Sequence, residues 1–195
     1  MRIHVVPMIL VSGTAFLAAA VQAPEPKAPR EAAPRTEPEM AIVQTGPEHT
    51  RLAKRVGTWD VTLTTAEDGG SESTFKGVDR SRMLGGRWLI SDFEADFMGS
   101  PFQGHGVMGY DPLEKKYVQT WVDTGSERAV HSQGSYDESG RTLTMKTESR
   151  DPSTRKSVEE KHVSRWIDDD TMVFEMYRGG EGHPMVLKVE YKRRK

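Results

Sequence analysis

The sequence contains no cysteine among its 195 residues. Without thiols the fold has no disulfides to stabilise it, and thiolate catalysis, cysteine-ligated zinc and iron–sulfur clusters are excluded. Asparagine is absent as well, so no N-glycosylation sequon exists. The sequence also has no P-loop and no GxSxG elbow, and no pair of histidines has HExxH or HxH spacing. No cofactor and no metal ion are therefore predicted.

An excess of positive charge is missing too. Removal of the N-terminal signal described below takes away only Arg2, which leaves 26 lysine and arginine residues against 29 aspartate and glutamate residues. The resulting net charge of about −3 gives no electrostatic reason to bind a phosphate backbone. No nucleic-acid partner is therefore predicted.

Long hydrophobic runs are confined to the N-terminus. Residues 1–23 combine Arg2, an uncharged apolar run and the small residues VQA before Pro24, which is typical of a cleaved secretory signal peptide. AAA at 18–20 is a second candidate cleavage site, and an uncleaved anchor is the alternative. We expect an exported chain, periplasmic or secreted, that leaves the membrane after cleavage. Residues 24–47 hold six of the eleven prolines and few large apolar residues, so they are predicted to form a disordered linker.

Residues 48–195 are predicted to form one domain. The stretch PEHTRLAKRV predicts one short helix with Leu52 and Val56 facing inward. About ten segments that alternate apolar and polar residues follow, separated by short turns rich in glycine, proline, aspartate and serine. These connections are too short for crossover helices, so the sheet is antiparallel. Because closure removes exposed edges, the predicted fold class is all-β, an up-and-down barrel of about ten strands; a two-sheet sandwich is the alternative.

A row of acidic residues alternates with apolar ones along the segment 87–98. Asp92 and its neighbours two and four positions on share a face with Trp88, while Phe93 and Phe97 lie on the opposite face. In an ordinary barrel the apolar face points inward and the acidic row is in water. Alternatively the strand bends, and Trp88 and Asp92 face a partly polar cavity. The carboxylates are about 7 Å apart along the strand, too far for one cation without ligands from other strands.

Other segments place aromatic rings beside polar groups, as ligand cavities do. Trp121 and Asp123 share one face, His131 lies on a polar face, and the segment 158–166 aligns Glu160 with His162. His105 lies between two glycines, where a ligand or another strand can approach closely. The residues predicted to bind a ligand are Trp88, Asp92, His105, Tyr110, Trp121, Asp123 and His131. No catalytic or metal-binding residue is predicted.

One pair of these residues could carry acid–base chemistry. The turn at 99–101 places Asp92 and His105 on adjacent strands. A histidine held by a carboxylate can act as a general acid or base. Whether the two side chains meet depends on the register of the strands, which the sequence does not determine.

Several motifs are similar to those of a known family. The stretches RLAKRVGTWDVTLT and SRMLGGRWLISDFEADFMGSPFQGHGVMGYDPLEKKYVQTWVDT resemble the family domain of unknown function 1579. The GTW motif at 57–59 also resembles the start of lipocalin-type barrels. The resemblance implies a lipocalin-like (calycin-type) barrel and no particular activity. Ten-stranded haem-binding barrels of the nitrobindin type carry their axial histidine on the last strand, whereas His183 here precedes it, so haem is not predicted.

Three functional hypotheses follow. The first is an exported barrel that binds a small hydrophobic or amphipathic ligand inside. The second is a non-catalytic interaction module of the cell envelope, which predicts a filled barrel and an exposed apolar patch. The third is an enzyme that uses a His–carboxylate pair in the barrel. The oligomeric state is left open.

Overall fold

The computed structural model describes residues 44–66, 72–150, 154–179 and 184–195. The predicted signal peptide, most of the predicted linker and His183 lie outside these residues. Within them, no helix is long and apolar enough to span a bilayer.

The described residues form one short helix and ten strands. The helix α1 spans Pro47–Ala53, and the strands are β1 (Gly57–Ala66), β2 (Glu72–Leu84), β3 (Trp88–Phe97), β4 (Ser100–Asp111), β5 (Lys116–Asp123), β6 (Val130–Tyr136), β7 (Thr142–Arg150), β8 (Ser157–Trp166), β9 (Thr171–Arg178) and β10 (Met185–Arg193). Each strand pairs antiparallel with its neighbours along the chain, and β1 pairs with both β2 and β10. The sheet is thus a closed up-and-down barrel, which confirms the predicted fold class and rules out the sandwich.

Alternation along each strand decides which side chains fill the barrel. On β1, Trp59, Val61 and Leu63 point inward and are 2–6% exposed. On β3, Leu89 and Phe93 point inward in the same way. The acidic row of this strand consequently lies on the outer surface.

The helix α1 covers one end of the barrel, which we call the closed end. Pro47 suits the first helical position, and the Gly46 N–H donates to His49 Nδ1 at 3.0 Å, which satisfies one of the free amides at the helix start. Leu52, the one buried residue of the helix, is 0% exposed. It packs into a cluster formed by Leu89, Met108, Tyr117, Leu143 and Met145.

The C-terminal strand fixes the link from α1 to β1. The Arg193 guanidinium lies 4.0 Å from the centre of the Trp59 ring and donates to the backbone carbonyls of Lys54 and Val56. The Trp59 indole N–H in turn donates to the Arg55 carbonyl at 3.0 Å. These contacts hold the segment after the helix against the start of the barrel, so the closed end stays sealed.

At the opposite end β1, β3, β5, β7 and β9 finish, and the described residues there, which leave out 67–71, 151–153 and 180–183, contain no helix. We call it the open end. Its inward-facing apolar residues are half-buried, unlike the sealed core of the closed end. They include Phe75, Phe97, Phe102, Trp121 and Leu187. These side chains point inward and still reach solvent, so the described residues at this end bury the interior less completely than α1 does at the closed end.

Candidate ligand-binding site

Five polar residues lie opposite one another on the inner wall, one on each of five consecutive strands. The pairs in the sheet register are Gln119 with Ser132, Ser132 with Thr147, Thr147 with Glu160, and Glu160 with Arg178. We call these five residues the inner polar row. They run across β5–β9, so one side of the barrel interior is polar along a single level.

Members of the inner polar row are deeply buried except at its ends. Ser132, Thr147 and Glu160 are 4–7% exposed. Glu160 Oε1 accepts from Arg178 Nε at 2.9 Å, and the Arg178 side chain is 55% exposed. A buried carboxylate is stabilised by such a charge-assisted contact. The ion pair thus joins a buried carboxylate of the barrel interior to an exposed arginine at the open end.

His162 lies one step further along β8 on the same inner face. Its Nδ1 lies 3.4 Å from Ser132 Oγ, and its ring meets Phe174 edge to face with 5.5 Å between centroids. Its Nε2 is buried and has no hydrogen-bond partner, and it lies 3.6 Å from Glu160 Oε2. A buried polar atom without a partner costs on the order of 1–3 kcal/mol. This nitrogen is therefore a point where a bound polar group would be favoured.

The other side of the interior is aromatic and apolar. Phe93 contacts both Phe102 and Trp121, with ring centroids 6.0 and 6.2 Å apart. The Trp121 ring lies directly over Gly104 and Gly106, where an added Cβ at Gly104 would be 2.1 Å from the indole. The glycines on either side of His105 thus make room for the Trp121 ring and not for a ligand or another strand. The Trp121 indole N–H donates to Asp123 at 2.8 Å, which orients the ring.

A second buried carboxylate lies on β2. Asp79 is 5% exposed and accepts from the hydroxyls of Ser81, at 2.6 Å, and Ser91. Desolvation in the barrel raises the pKa of Tyr191, and the Asp79 charge raises that pKa further. The interior therefore holds polar groups on two sides, with aromatic rings between them.

The structure separates the predicted ligand-binding residues into two groups. Tyr110, Trp121 and Asp123 face inward, and Tyr110 meets Tyr117 edge to face near the helix α1. Trp88, Asp92, His105 and His131 face outward and are exposed. The Trp88 ring covers Gly109 on the outer face, and His131 Nδ1 lies 3.0 Å from Thr120 Oγ1. The four outward residues thus face away from the barrel interior, and ligand binding by any of the seven stays a prediction.

Asp92 and His105 do meet. They are directly opposite in the β3–β4 register, and His105 Nδ1 lies 2.7 Å from Asp92 Oδ1. A carboxylate on Nδ1 favours the tautomer in which Nε2 is a free base. Both side chains are about half exposed, at the edge of an outer groove of about 360 Å³ that also includes Val122 and Thr124. A larger groove of about 610 Å³ on the outer side of β5–β8 includes His131.

Metal chemistry has no candidate among the described residues, where no three His, Cys, Asp or Glu side chains are grouped to hold an ion. The inner polar row was missed as a site by sequence reasoning. The shared face of Glu160 and His162 was visible, but nothing in the sequence joined it to Ser132, Thr147 or Arg178. The row is defined by the register of five strands, and no signal in the sequence marks that register.

Fold and interior together define a small ten-stranded barrel of the lipocalin-like kind. The chain belongs to the family "Protein of unknown function (DUF1579)", which it matches over residues 44–193. This confirms the resemblance seen in the sequence. Among curated proteins, none matches the chain.

Two solved structures share the fold at low sequence identity. Rv2717c from M. tuberculosis is 12% identical with a TM-score of 0.56, over 78% of this chain and 100% of that chain. The S-type phycobiliprotein lyase CPES from Guillardia theta is 10% identical with a TM-score of 0.50, over 77% of this chain and 99% of that chain. Both show that the chain is similar to known barrels in fold.

Proposed function

We propose that the barrel binds a small amphipathic molecule in its interior, which it admits through the open end. The observation that supports this most directly is the buried, unpartnered His162 Nε2 beside Glu160 and opposite half-exposed aromatic rings. Ligand sites combine mostly apolar walls with a few placed polar groups, and the interior has this composition.

A direct test is native mass spectrometry of the chain purified gently from its own host. A co-purifying mass of small-molecule size that is lost on denaturation supports the proposal and gives the ligand class. The same protein, stripped of ligand, should bind one N-phenyl-1-naphthylamine per chain with saturable fluorescence.

Two variants at the open end make the binding assay specific. Phe97→Arg places a charge on the inner face of β3, whereas Val122→Arg places one on the outer face of β5, where Val122 is 44% exposed. We expect the first to abolish dye binding and the second to leave it unchanged. Equal binding by both variants would mean that the dye lies outside the barrel, and the proposal would then fail.

Export is part of the same proposal. Residues 1–23 have the composition of a cleaved signal, and their removal would release the barrel from the membrane. We expect the intact mass of the native protein to lack about 20 residues and the protein to leave the cytoplasmic fraction. A full-length mass in the cytoplasmic fraction would contradict this.

A second candidate function is acid–base chemistry at Asp92 and His105, which their 2.7 Å contact favours. Hydrolysis of p-nitrophenyl acetate is a simple probe, because it responds to a histidine base. His105→Gln should lower the rate to that of buffer, while His131→Gln should not change it. Equal rates for His105→Gln and the unaltered protein would assign the pair a structural role.

A further inference from the structure

We infer that the polar end of the ligand is a neutral hydroxyl, as in a phenol or an aromatic alcohol, that lies beside His162 Nε2 and Glu160 Oε2 and hydrogen-bonds to them. This inference rests on the proposed function and adds the chemical class of the ligand. It concerns a site that lies wholly on β8 and faces the interior.

The geometry selects a group that both donates and accepts hydrogen bonds. His162 Nε2 has no hydrogen-bond partner, and Glu160 Oε2 lies 3.6 Å from it, so one small group can contact both atoms. A hydroxyl can accept from an Nε2–H and donate to the carboxylate, or it can donate to a bare Nε2. It therefore fits either tautomer of His162. A carboxylate oxygen can accept from more than one donor, so the contacts that Glu160 already makes, that with Arg178 among them, are compatible with a hydroxyl at Oε2.

Charge argues against the usual alternative, a carboxylate ligand such as a fatty acid. A second carboxylate beside the buried Glu160 would be repelled, and Glu160 is already paired with Arg178 at 2.9 Å. An anion would therefore have to displace Glu160 from Arg178 at the barrel mouth. A hydroxyl needs no such displacement.

The apolar surroundings favour an aromatic body on the ligand. The Phe174 ring stands edge to face with His162 and belongs to the aromatic cluster that includes Phe93 and Trp121. Aromatic rings prefer such edge-to-face and offset contacts. A ring that carries the hydroxyl would therefore reach the polar pair while its body packs on these side chains.

Three naphthalene probes distinguish a hydroxyl, an apolar and an anionic ligand: 2-naphthol, 2-methylnaphthalene and 2-naphthoate. Binding of each probe is measured by equilibrium dialysis, with its fluorescence as the readout. We expect the ligand-free chain to bind 2-naphthol roughly 10-fold or more tightly than either of the others, as expected for a hydrogen bond to a charged group. Glu160→Gln keeps the shape of the side chain and should reduce the preference, and His162→Phe should remove it. His131→Phe, on the outer face, is the matched control and should preserve it.

The outcomes distinguish this inference from the proposed function. If 2-naphthol and 2-methylnaphthalene bind equally to the unaltered chain, the barrel binds apolar molecules and the hydroxyl assignment is wrong. If 2-naphthoate binds best, Arg178 selects an anion and the assignment is also wrong. If no probe binds, both the inference and the proposed function are overturned. Circular dichroism of each variant shows whether the barrel is folded. If His162→Phe does not fold, the loss of preference for 2-naphthol in Glu160→Gln tests the assignment by itself.

Discussion

Removal of the Leu52 side chain tests whether helix α1 holds the closed end of the barrel. Leu52 is 0% exposed and is the one buried residue of a seven-residue helix. Leu→Ala substitutions at such sites cost about 2–5 kcal/mol, since apolar contacts are lost and a cavity remains. The surrounding cluster comes from four different strands, which limits its collapse, so we expect about 3–4 kcal/mol for Leu52→Ala.

Guanidinium unfolding followed by tryptophan fluorescence measures this loss. The matched control is Leu113→Ala, because Leu113 is 89% exposed in the turn between β4 and β5 and should change stability by less than about 0.5 kcal/mol. The reasoning is refuted if Leu52→Ala costs less than about 1 kcal/mol while the slope of the transition is unchanged. The helix would then contribute nothing to the barrel. A reduced slope would instead indicate that the helix detaches before the barrel unfolds.

Three further predictions concern stability. Gly134→Ala should destabilise the barrel by several kcal/mol in thermal unfolding, because an added Cβ would lie 1.9 Å from the Thr144 carbonyl oxygen. Arg193→Gln should cost about 2 kcal/mol in urea unfolding, since it removes the cation above Trp59, the ion pair with Asp170 and the contacts with three backbone carbonyls. Hydrogen bonds, the strongest from the Thr142 N–H, lower the pKa of Asp137 in the folded state. Asp137 therefore contributes to the free energy of unfolding above about pH 4, and this contribution is lost as the pH falls through the folded pKa. Asp137→Asn should consequently flatten the acid side of a curve of stability against pH.

Each of these has a control in the same strand or turn. Ser135→Ala lies next to Gly134 on the outer face and should leave the midpoint unchanged. Arg193→Lys keeps the charge without the planar fork and should fall between the unaltered protein and the glutamine variant. Glu138→Gln should preserve the acid slope that Asp137→Asn removes; an equal effect of both would show that the slope reports net charge alone.

The strands could be predicted from the sequence because the period of two is strong and the turns are short. The alternating segment ESTFKGVDRSRML coincides with β2, and the alternating segment MVLKVEYK coincides with β10 except for the final residue of that strand. The helix was predicted through Val56 but ends at Ala53, because the chain must turn at Gly57 to enter β1. The antiparallel closed barrel could be predicted from these elements, because their short connections exclude parallel crossovers and closure removes the exposed edges.

The site could not be predicted in the same way, because alternation defines two faces of a strand without saying which is inside. On β6, His131 was predicted to bind a ligand, yet it lies on the outer face, and the inner face carries Ser132 and Gly134. The inner polar row exists only through the register of five strands, which loops of different lengths set. Conversely, the Asp92–His105 contact was anticipated as a possibility, because the turn predicted at 99–101 puts the two residues on adjacent strands. The observed turn is Met98 and Gly99, and the register that it sets places them directly opposite each other.

Closure of the barrel by its first and last strands has a consequence for how the chain folds during synthesis. β1 pairs with β10, and Leu63 lies opposite Val189, so this contact spans nearly the whole described chain. Until β10 has left the ribosome, both β1 and β9 have an unpaired edge, and the barrel cannot close. Such long-range pairing slows folding and leaves the nascent chain open for longer. The closed barrel therefore forms only after β10 has been synthesised, and β1, the first strand made, is the last to gain its second partner.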